Sequence, residues 1–282
     1  MKSTITITQI AQESGVSVAT VSRFLNGKVP VSADKKARIE AVVRKYDFTP
    51  NALARGLISK RTMTLGVILP DITNPYFATI FQEVQRCAAE EGYSVYLCNT
   101  RFHHGDAPID ETGYFRMMMD KKVDGILIIG GQLDMAEISP AYKEALNKLS
   151  ASLPVVAAGR EIPGAGCIFI DSENGSGVTT AYNYLSLLGH KDIAFVGGQP
   201  GVTITETRLE SYKKAAAASG REVREDLISL SDYYLPDGYQ AAEALISRNA
   251  PFTAVITMND NVALGAIRAF ADHGLSVPRD VA

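Results

Sequence analysis

Between Ser17 and Asn26 the chain places hydroxyl, small apolar and guanidinium side chains at a spacing suited to reading base edges. Ser17 can cap a helix whose inward face is marked by Val21 and Leu25, four residues apart, which leaves Val18, Ala19, Ser22 and Arg23 facing outward. A guanidinium there offers two parallel donors to the O6/N7 edge of a guanine, and Val18 and Ala19 suit thymine methyl groups. Thr20 and Ser22 suit phosphate contacts, which fix a helix on a duplex without reading its sequence. A second set of polar and aromatic residues is scattered along the chain: Asp71, Asn74, Tyr76 and Phe77, then Asp171, Arg208, Tyr233, Tyr234, Asn259 and Asp260. Gathered in one cleft, such carboxylates, amides, a guanidinium and flat aromatic faces suit a polyhydroxylated ligand, a sugar or a nucleoside. Each of them also has a plain reading as a cap or a turn.

The elements that would position the first set are legible. Thr6 and Gln9 have the spacing of a capping box, and Ile7, Ile10 and Ala11 form an apolar stripe behind it. Gly15 can take the positive φ of a sharp turn between this helix and the one capped by Ser17. A third, basic helix should stop at Thr49-Pro50, because proline biases its predecessor away from the helical region. Asn51 then caps a short helix, Asn51 to Leu57, with little core to pack on. Gly56 costs it about 1 kcal/mol relative to Ala, so it should form only when something buries it. In a minor groove, Ala54 would permit close approach and Leu57 could wedge between base steps. A small helical bundle is the plain alternative, but charge argues against it. Residues 1–62 hold 6 Lys and 5 Arg against 2 Asp and 2 Glu, a net of +7, while the remaining residues carry −10 and the whole chain only −3. A basic head on an acidic body fits a phosphate-binding module joined to a sensor.

From residue 64 the chain alternates short apolar runs with segments of helical period, in a sequence of ordinary apolar (46%) and charged (21%) content. The strand candidates are Leu65–Leu69, Ser94–Cys98, Gly125–Ile129, Pro154–Ala158, Ile168–Ile170, Ile193–Val196, Leu227–Leu230 and Ala254–Thr257. Helical segments such as Phe77–Glu91, Gly175–Leu188, Thr205–Ser219 and Asn261–His273 lie between them. The alternation predicts parallel sheets covered on both faces. It divides near Arg160–Gly166, where Pro163 and several glycines interrupt the pattern, so that Ile168–Ile170 would open a second lobe. Open parallel sheets bind ligands beyond the carboxyl ends of their strands, where the second set of residues sits.

Other chemistries lack their signatures. No glycine triad follows the first strand, Gly197-Gly198-Gln199-Pro200-Gly201 lacks the Lys-Ser/Thr of a phosphate loop, and there is no Gly-x-Ser-x-Gly elbow. His103, His104 and Asp106 share a loop without further spaced ligands, so neither a metal nor another cofactor is expected. Cys87, Cys98 and Cys167 are isolated in apolar or helical stretches and read as reduced core residues of a cytoplasmic protein, with no secretory or membrane-spanning segment.

With these residues in view, the chain resembles the lactose-repressor (LacI/GalR) family of bacterial transcription regulators. The likeness covers Thr6 to Arg61, continues through Gly66-Val67-Ile68-Leu69-Pro70-Asp71-Ile72-Thr73-Asn74-Pro75-Tyr76-Phe77, and returns at Val123-Asp124-Gly125-Ile126, Gly189-His190-Lys191-Asp192-Ile193-Ala194 and Asn259-Asp260-Asn261-Val262-Ala263-Leu264-Gly265. It implies a helix-turn-helix DNA-binding head (1–49), a hinge helix and linker (50–62), and a two-lobed α/β body like a periplasmic binding protein (63–162 and 163–282). It further implies a homodimer on a near-palindromic operator, controlled by a small effector and without enzymatic activity. Thr6, Ser17, Val18, Ala19, Thr20, Ser22, Arg23 and Asn26 of the head, and Asn51, Ala54, Arg55 and Leu57 of the hinge, become the DNA-contact candidates. Asp171, Arg208 and Asn259 align with effector-contacting positions, and Asn74, Tyr76 and Tyr234 follow with weaker support. In that family the strand after Val281 carries a further acidic contact, so the resemblance implies a chain shortened at its C-terminus. A solute-binding receptor of the same architecture is the competing function, and it would need an export signal and no basic head. A shortened chain without function is the third reading.

Overall fold

The computed structural model describes residues 5–25, 31–48, 61–101 and 110–282, and the chain divides into two compact units, Met1–Thr62 and Met63–Ala282. In the first, helices α1 (Ile7–Ser14), α2 (Val18–Leu25) and α3 (Ala33–Tyr46) enclose a small core of Ile5, Ile10, Ala11, Val21, Ile39 and Val42. The expected capping box is present: the Thr6 side chain accepts from the Gln9 amide while the Gln9 side chain accepts from the Thr6 amide. Gly15 ends α1 in the left-handed region, at φ 64°, and the Val16 amide bonds back to the Ala11 carbonyl. That closes the turn in a conformation a side chain would resist. Ser17 then caps α2, its hydroxyl accepting from the Thr20 amide at 3.2 Å. The hinge candidates Asn51, Ala54, Arg55 and Leu57, together with Asn26 and the loop of His103, His104 and Asp106, lie outside the described residues.

The second unit begins with β1 (Thr64–Leu69), α4 (Pro75–Glu90), β2 (Ser94–Asn99), α5 (Glu111–Asp120), β3 (Gly125–Ile129), a 3-10 turn (Gly131–Asp134), α6 (Pro140–Ser152), β4 (Val155–Ala158) and β5 (Ile168–Ile170). The strands form one sheet in the order β2-β1-β3-β4-β5, every pairing parallel. Parallel neighbours require crossovers, and the amphipathic helices supply them. A second, three-stranded parallel sheet follows, in the order β7-β6-β8. It is built from α7 (Asn174–Leu187), β6 (Ile193–Val196), α8 (Thr203–Ala218), β7 (Ile228–Ser229), α9 (Leu235–Ser247), β8 (Ala254–Thr257) and α10 (Asp260–Asp272). The four residues of β6 are all buried, as a central strand covered on both faces must be. Ala282 pairs by its backbone with Thr253 and Val255, alongside β8.

Three expectations change. The run Ile168–Ile170 does not open the second lobe; it pairs with β4 at the edge of the first sheet, through Ala157 and Phe169. The Pro-Gly interruption before it is a turn within the lobe. Ile162 is buried in the first core, and the Ala165 amide closes on the Ile162 carbonyl at 3.0 Å. The chain therefore passes between the lobes after Ile170. The seventh strand is shorter than expected, Ile228–Ser229, because Glu225–Leu227 winds into a 3-10 turn. Among the cysteines, Cys98 is buried and Cys167 half-buried, but Cys87 is exposed on α4 and is no core residue. Among the described residues no helix is long and apolar enough to cross a membrane.

The tightest packing in the second lobe is the crossing of α9 and α10. A Cβ on Gly265 would collide with the Leu235 carbonyl and the Tyr239 amide nitrogen, and one on Gly238 with the backbone of Val262. These obstacles are backbone, which cannot rotate aside. Gly265→Ala should therefore destabilise this unit by about 3 kcal/mol, seen as a lower thermal midpoint; an unchanged midpoint would show that the helices separate freely.

Candidate functional site

The first candidate surface is the outer face of α2. Val18, Ala19 and Arg23 are exposed, Ser22 is half-buried, and Val21 beneath them is sealed in the core. The Arg23 Nε donates to the Ala19 carbonyl at 3.3 Å, so the guanidinium of this exposed residue lies along its own helix. Ser17 and Thr20 share a hydroxyl contact of 2.9 Å at the start of the helix. Behind α2, Glu13 holds α1 to α3 by accepting from Lys45 at 3.0 Å and Tyr46 at 2.6 Å. The position of the exposed face is thus set by α1 and α3.

The second candidate site lies where the two sheets of the body present their carboxyl ends. Leaving β1, the chain buries Asp71, which accepts from the Thr73 amide and hydroxyl at 2.8 and 2.7 Å. Burial acts to raise this carboxyl, but those hydrogen bonds, one from the Tyr234 hydroxyl and the charge of Arg101 together hold it below the ordinary range. Arg101, after β2, reaches across to Asp232, after β7, at 3.2 Å, with both side chains largely buried. Asp71, Arg101, Asp232 and Tyr234 thus form a latch between the lobes. A second tie is made by backbone alone: Met135 bridges Val202, and the Ala136 amide donates to the Gly201 carbonyl at 2.8 Å.

Between these ties stand Tyr76 from α4 and Arg208 from α8. Arg208 donates to the Met258 carbonyl and to Asn174 Oδ1. Its burial lowers the guanidinium below the ordinary range, while Tyr233 and Tyr76 act in the opposite sense. The Tyr76 hydroxyl is raised by burial and by Asp134, and lowered in part by Arg208. Tyr233 shares a hydroxyl contact of 2.7 Å with Thr205 and is pushed up to about 12, chiefly by burial. At the end of β3, Asp134 is pushed up to about 6 by burial and by the Asp171 carboxylate, against the charge of Arg160.

The turn carrying Asp134 is braced from below. Glu111, at the start of α5, is almost fully buried and accepts from the Gln132 amide and the Tyr142 hydroxyl, each at 2.8 Å. Its oxygen occupies the space a side chain on Gly131 would need, and Gly131 itself lies at φ 69°. Arg160 holds the far side, donating to the carbonyls of Met135 and Ala136 at 3.0 and 2.6 Å.

The sequence candidates therefore fall into groups. Tyr76 and Arg208 act electrostatically on one another, as Asp171 does on Asp134. Tyr234 belongs to the latch. Asn74 caps α4, accepting from the Tyr76 amide at 3.0 Å. Asn259 caps α10 through Val262 at 2.9 Å and ties down Tyr233 by donating to its carbonyl at 3.0 Å. Sequence reasoning passed over Asp134, Arg160, Arg101, Asp232 and Asn174. Asp134 was within its reach: it follows β3 as Asp71 follows β1. The partners of Arg101 and Arg208 lie on other strands, and no spacing reveals them. An open depression of about 550 Å³ continues the site past Asp171, Asn174, Thr207 and Ser211.

Residues 62–282 match the family model described as periplasmic binding proteins and sugar binding domain of the LacI family, and residues 6–51 match that of bacterial regulatory proteins, lacI family. The catabolite control protein A of Staphylococcus xylosus is 34% identical over 278 residues, spanning 99% of this chain and 80% of that protein. The transcriptional repressor PurR of Pasteurella multocida is 31% identical over 276 residues, spanning 98% and 80%. Among solved structures, a Lac repressor dimer bound to operator and the anti-inducer ONPF superposes with a TM-score of 0.81 at 22% identity, over 98% of this chain and 80% of that one.

The buried carboxyl beneath the site generates a pH dependence. Burial raises Glu111 from 4.5 to about 7, so the folded chain holds a proton that the unfolded chain has released. Stability should fall by roughly 2 kcal/mol as pH rises from about 5 to 7, with Asp134 adding in the same direction. Glu111→Gln should flatten this fall, measured by urea denaturation across that range; parallel profiles for the two proteins would refute the assignment.

Proposed function

The chain belongs to the LacI family of bacterial regulatory proteins, and from that premise we propose that it is a transcriptional repressor whose hold on operator DNA is set by a small ligand bound between the lobes of its body. The observation that carries the first half is the outer face of α2, where Arg23, Val18 and Ala19 stand exposed on a helix held by a capped turn. In a helix-turn-helix the N-terminal part of the second helix enters the major groove. The net +7 of residues 1–62 supplies the attraction to phosphate that any such docking needs. Thr6, Ser17, Thr20 and Ser22 are read as phosphate contacts, and the hinge of residues 50–62, with Asn51, Ala54, Arg55 and Leu57, as the minor-groove element. The relative crystallised on its operator is a dimer. Two linked heads on two half-sites raise the effective concentration of each, and we assign the same arrangement here.

The second half rests on the cleft. Tyr76, Arg208, Asp171 and Asn174 offer aromatic faces, a desolvated cation and hydrogen-bonding groups at the mouth of two parallel sheets, where a sugar or nucleoside effector fits. The lobes then run from residue 63 to about 171 and from there onward, with the passage after β5 as their hinge. A ligand can change DNA affinity only by favouring one lobe arrangement over another. The latch of Asp71, Arg101, Asp232 and Tyr234 is the part of the structure such a rearrangement would have to make or break. Relatives named as regulators favour a binding protein over an enzyme, and DNA as the proposed partner supports a cytoplasmic reading. A solute-binding receptor would have no use for the basic head.

Operator sequences selected from a random duplex library by the protein provide the test. Arg23→Ala should weaken binding to the selected sequence by about 1–3 kcal/mol while sparing random DNA; equal loss on both would make Arg23 a phosphate contact. Arg208→Ala should abolish the response of operator binding to effector and leave ligand-free operator affinity within a few-fold of the parent. A response of unaltered size would move the effector site elsewhere.

A further inference from the structure

The chain passes from its first compact unit to its second between Thr62 and Met63, and Met63 lies there in the left-handed region, at φ 53°. A residue other than glycine adopts that backbone at a cost and keeps it only where its neighbours impose it. Side-chain packing does not impose it, because the Met63 side chain is exposed. Hydrogen bonds do. The Met63 amide donates to Asp124 Oδ2 at 3.0 Å, and its carbonyl accepts from the Ser94 amide at 2.9 Å. Asp124 also donates its own amide to the Thr64 carbonyl at 2.7 Å, so it grips the backbone at both Met63 and Thr64. Among these three bonds, only that to Oδ2 depends on a side chain.

The clamp has a particular place in the sheet. Met63 precedes β1 and Asp124 precedes β3, and the two strands are parallel neighbours, with Leu65 opposite Gly125. The other ends of the same strands carry the ties between the lobes. Asp71 of the latch follows β1, and the turn bearing Met135 and Ala136 follows β3. The body therefore holds the root of the DNA-binding unit and its own second lobe at opposite ends of one pair of strands.

We infer that Asp124 is a positioning residue for operator binding: its carboxylate holds Met63 in the backbone conformation from which the DNA-binding unit docks. This rests on the operator reading proposed above and adds a part of the body to it. Freed of the carboxylate, Met63 relaxes to an ordinary backbone, and docking on an operator must restore the left-handed one. A looser root also lowers the effective concentration of a second head at its half-site. Random duplex, held by the phosphate attraction of the basic residues 1–62, makes neither demand.

The test is binding of the whole chain to its library-selected operator and to random duplex, with melting curves as a check on folding. Asp124→Ala should weaken operator binding about tenfold and leave binding to random duplex unchanged. Asp124→Asn keeps an oxygen that can accept from the Met63 amide, so it should recover most of the operator affinity. Met63→Val attacks the clamp from its other partner, since a β-branched side chain resists the left-handed region. It should lower the same ratio, whether or not Asp124→Ala folds. A carboxylate that merely stabilised the body would change the melting point and leave the ratio of operator to random binding as it was. An unchanged ratio in a folded Asp124→Ala or Met63→Val chain overturns the inference and leaves the operator reading standing. A loss in Asp124→Asn as large as that in Asp124→Ala overturns it too. Should the parent chain select no sequence over random duplex, the operator reading falls and takes the inference with it.

Discussion

Both sheets of the body are parallel throughout, and most of what the molecule presents follows from that constraint. A parallel strand cannot return through a tight turn, so every connection crosses over and every strand of a sheet points the same way. Asp71, Arg101, Asp134, Asp171, Asp232 and Asn259 are far apart in sequence, yet each follows the last residues of a strand. The topology delivers them to the same edge of their sheets. A chemically mixed site can then be assembled from short loops, each anchored by a strand of its sheet.

That assembly places charge where water is scarce, and the neighbouring structure compensates in different ways. Asp71 is supported by Thr73, Tyr234 and Arg101, which together outweigh its burial. Glu111 is deeper still and receives only a backbone amide and one phenol, so it holds its proton near neutral pH. Asp134 lies between these cases. The contrast shows how three carboxyls near one edge acquire three different proton affinities from the donors within reach.

Much of this architecture was readable in the residues. The apolar runs at Gly125–Ile129, Ile193–Val196 and Ala254–Thr257 coincide with strands because a strand buried on both faces has no alternation to obscure it. Thr6, Gln9, Gly15 and Ser17 were legible because caps and left-handed turns are local chemistry. Reading failed at Ile168–Ile170, where the strand itself was found but was given to the wrong lobe. Which sheet a strand joins is decided by contacts such as that of Ile162 with the first core, and no local pattern encodes them. For the same reason Asn74 and Asn259 were found, while the roles their amides play in capping and tethering emerged only from the packing. Cys87 shows the converse error, a sulfur placed inside by its apolar neighbours and outside by the helix face it occupies.

The two ties between the lobes differ in kind. One is a set of side chains, Asp71, Arg101, Asp232 and Tyr234, whose geometry depends on each identity being kept. The other, Met135 with Val202 and Ala136 with Gly201, is made of peptide groups. Peptide groups are the same in every residue but proline, so this tie makes no demand on side chains beyond the glycine at 201, which lies at φ 77°. Cleft side chains can therefore be exchanged while the backbone tie stays intact, which separates the chemistry of recognition from the joining of the lobes.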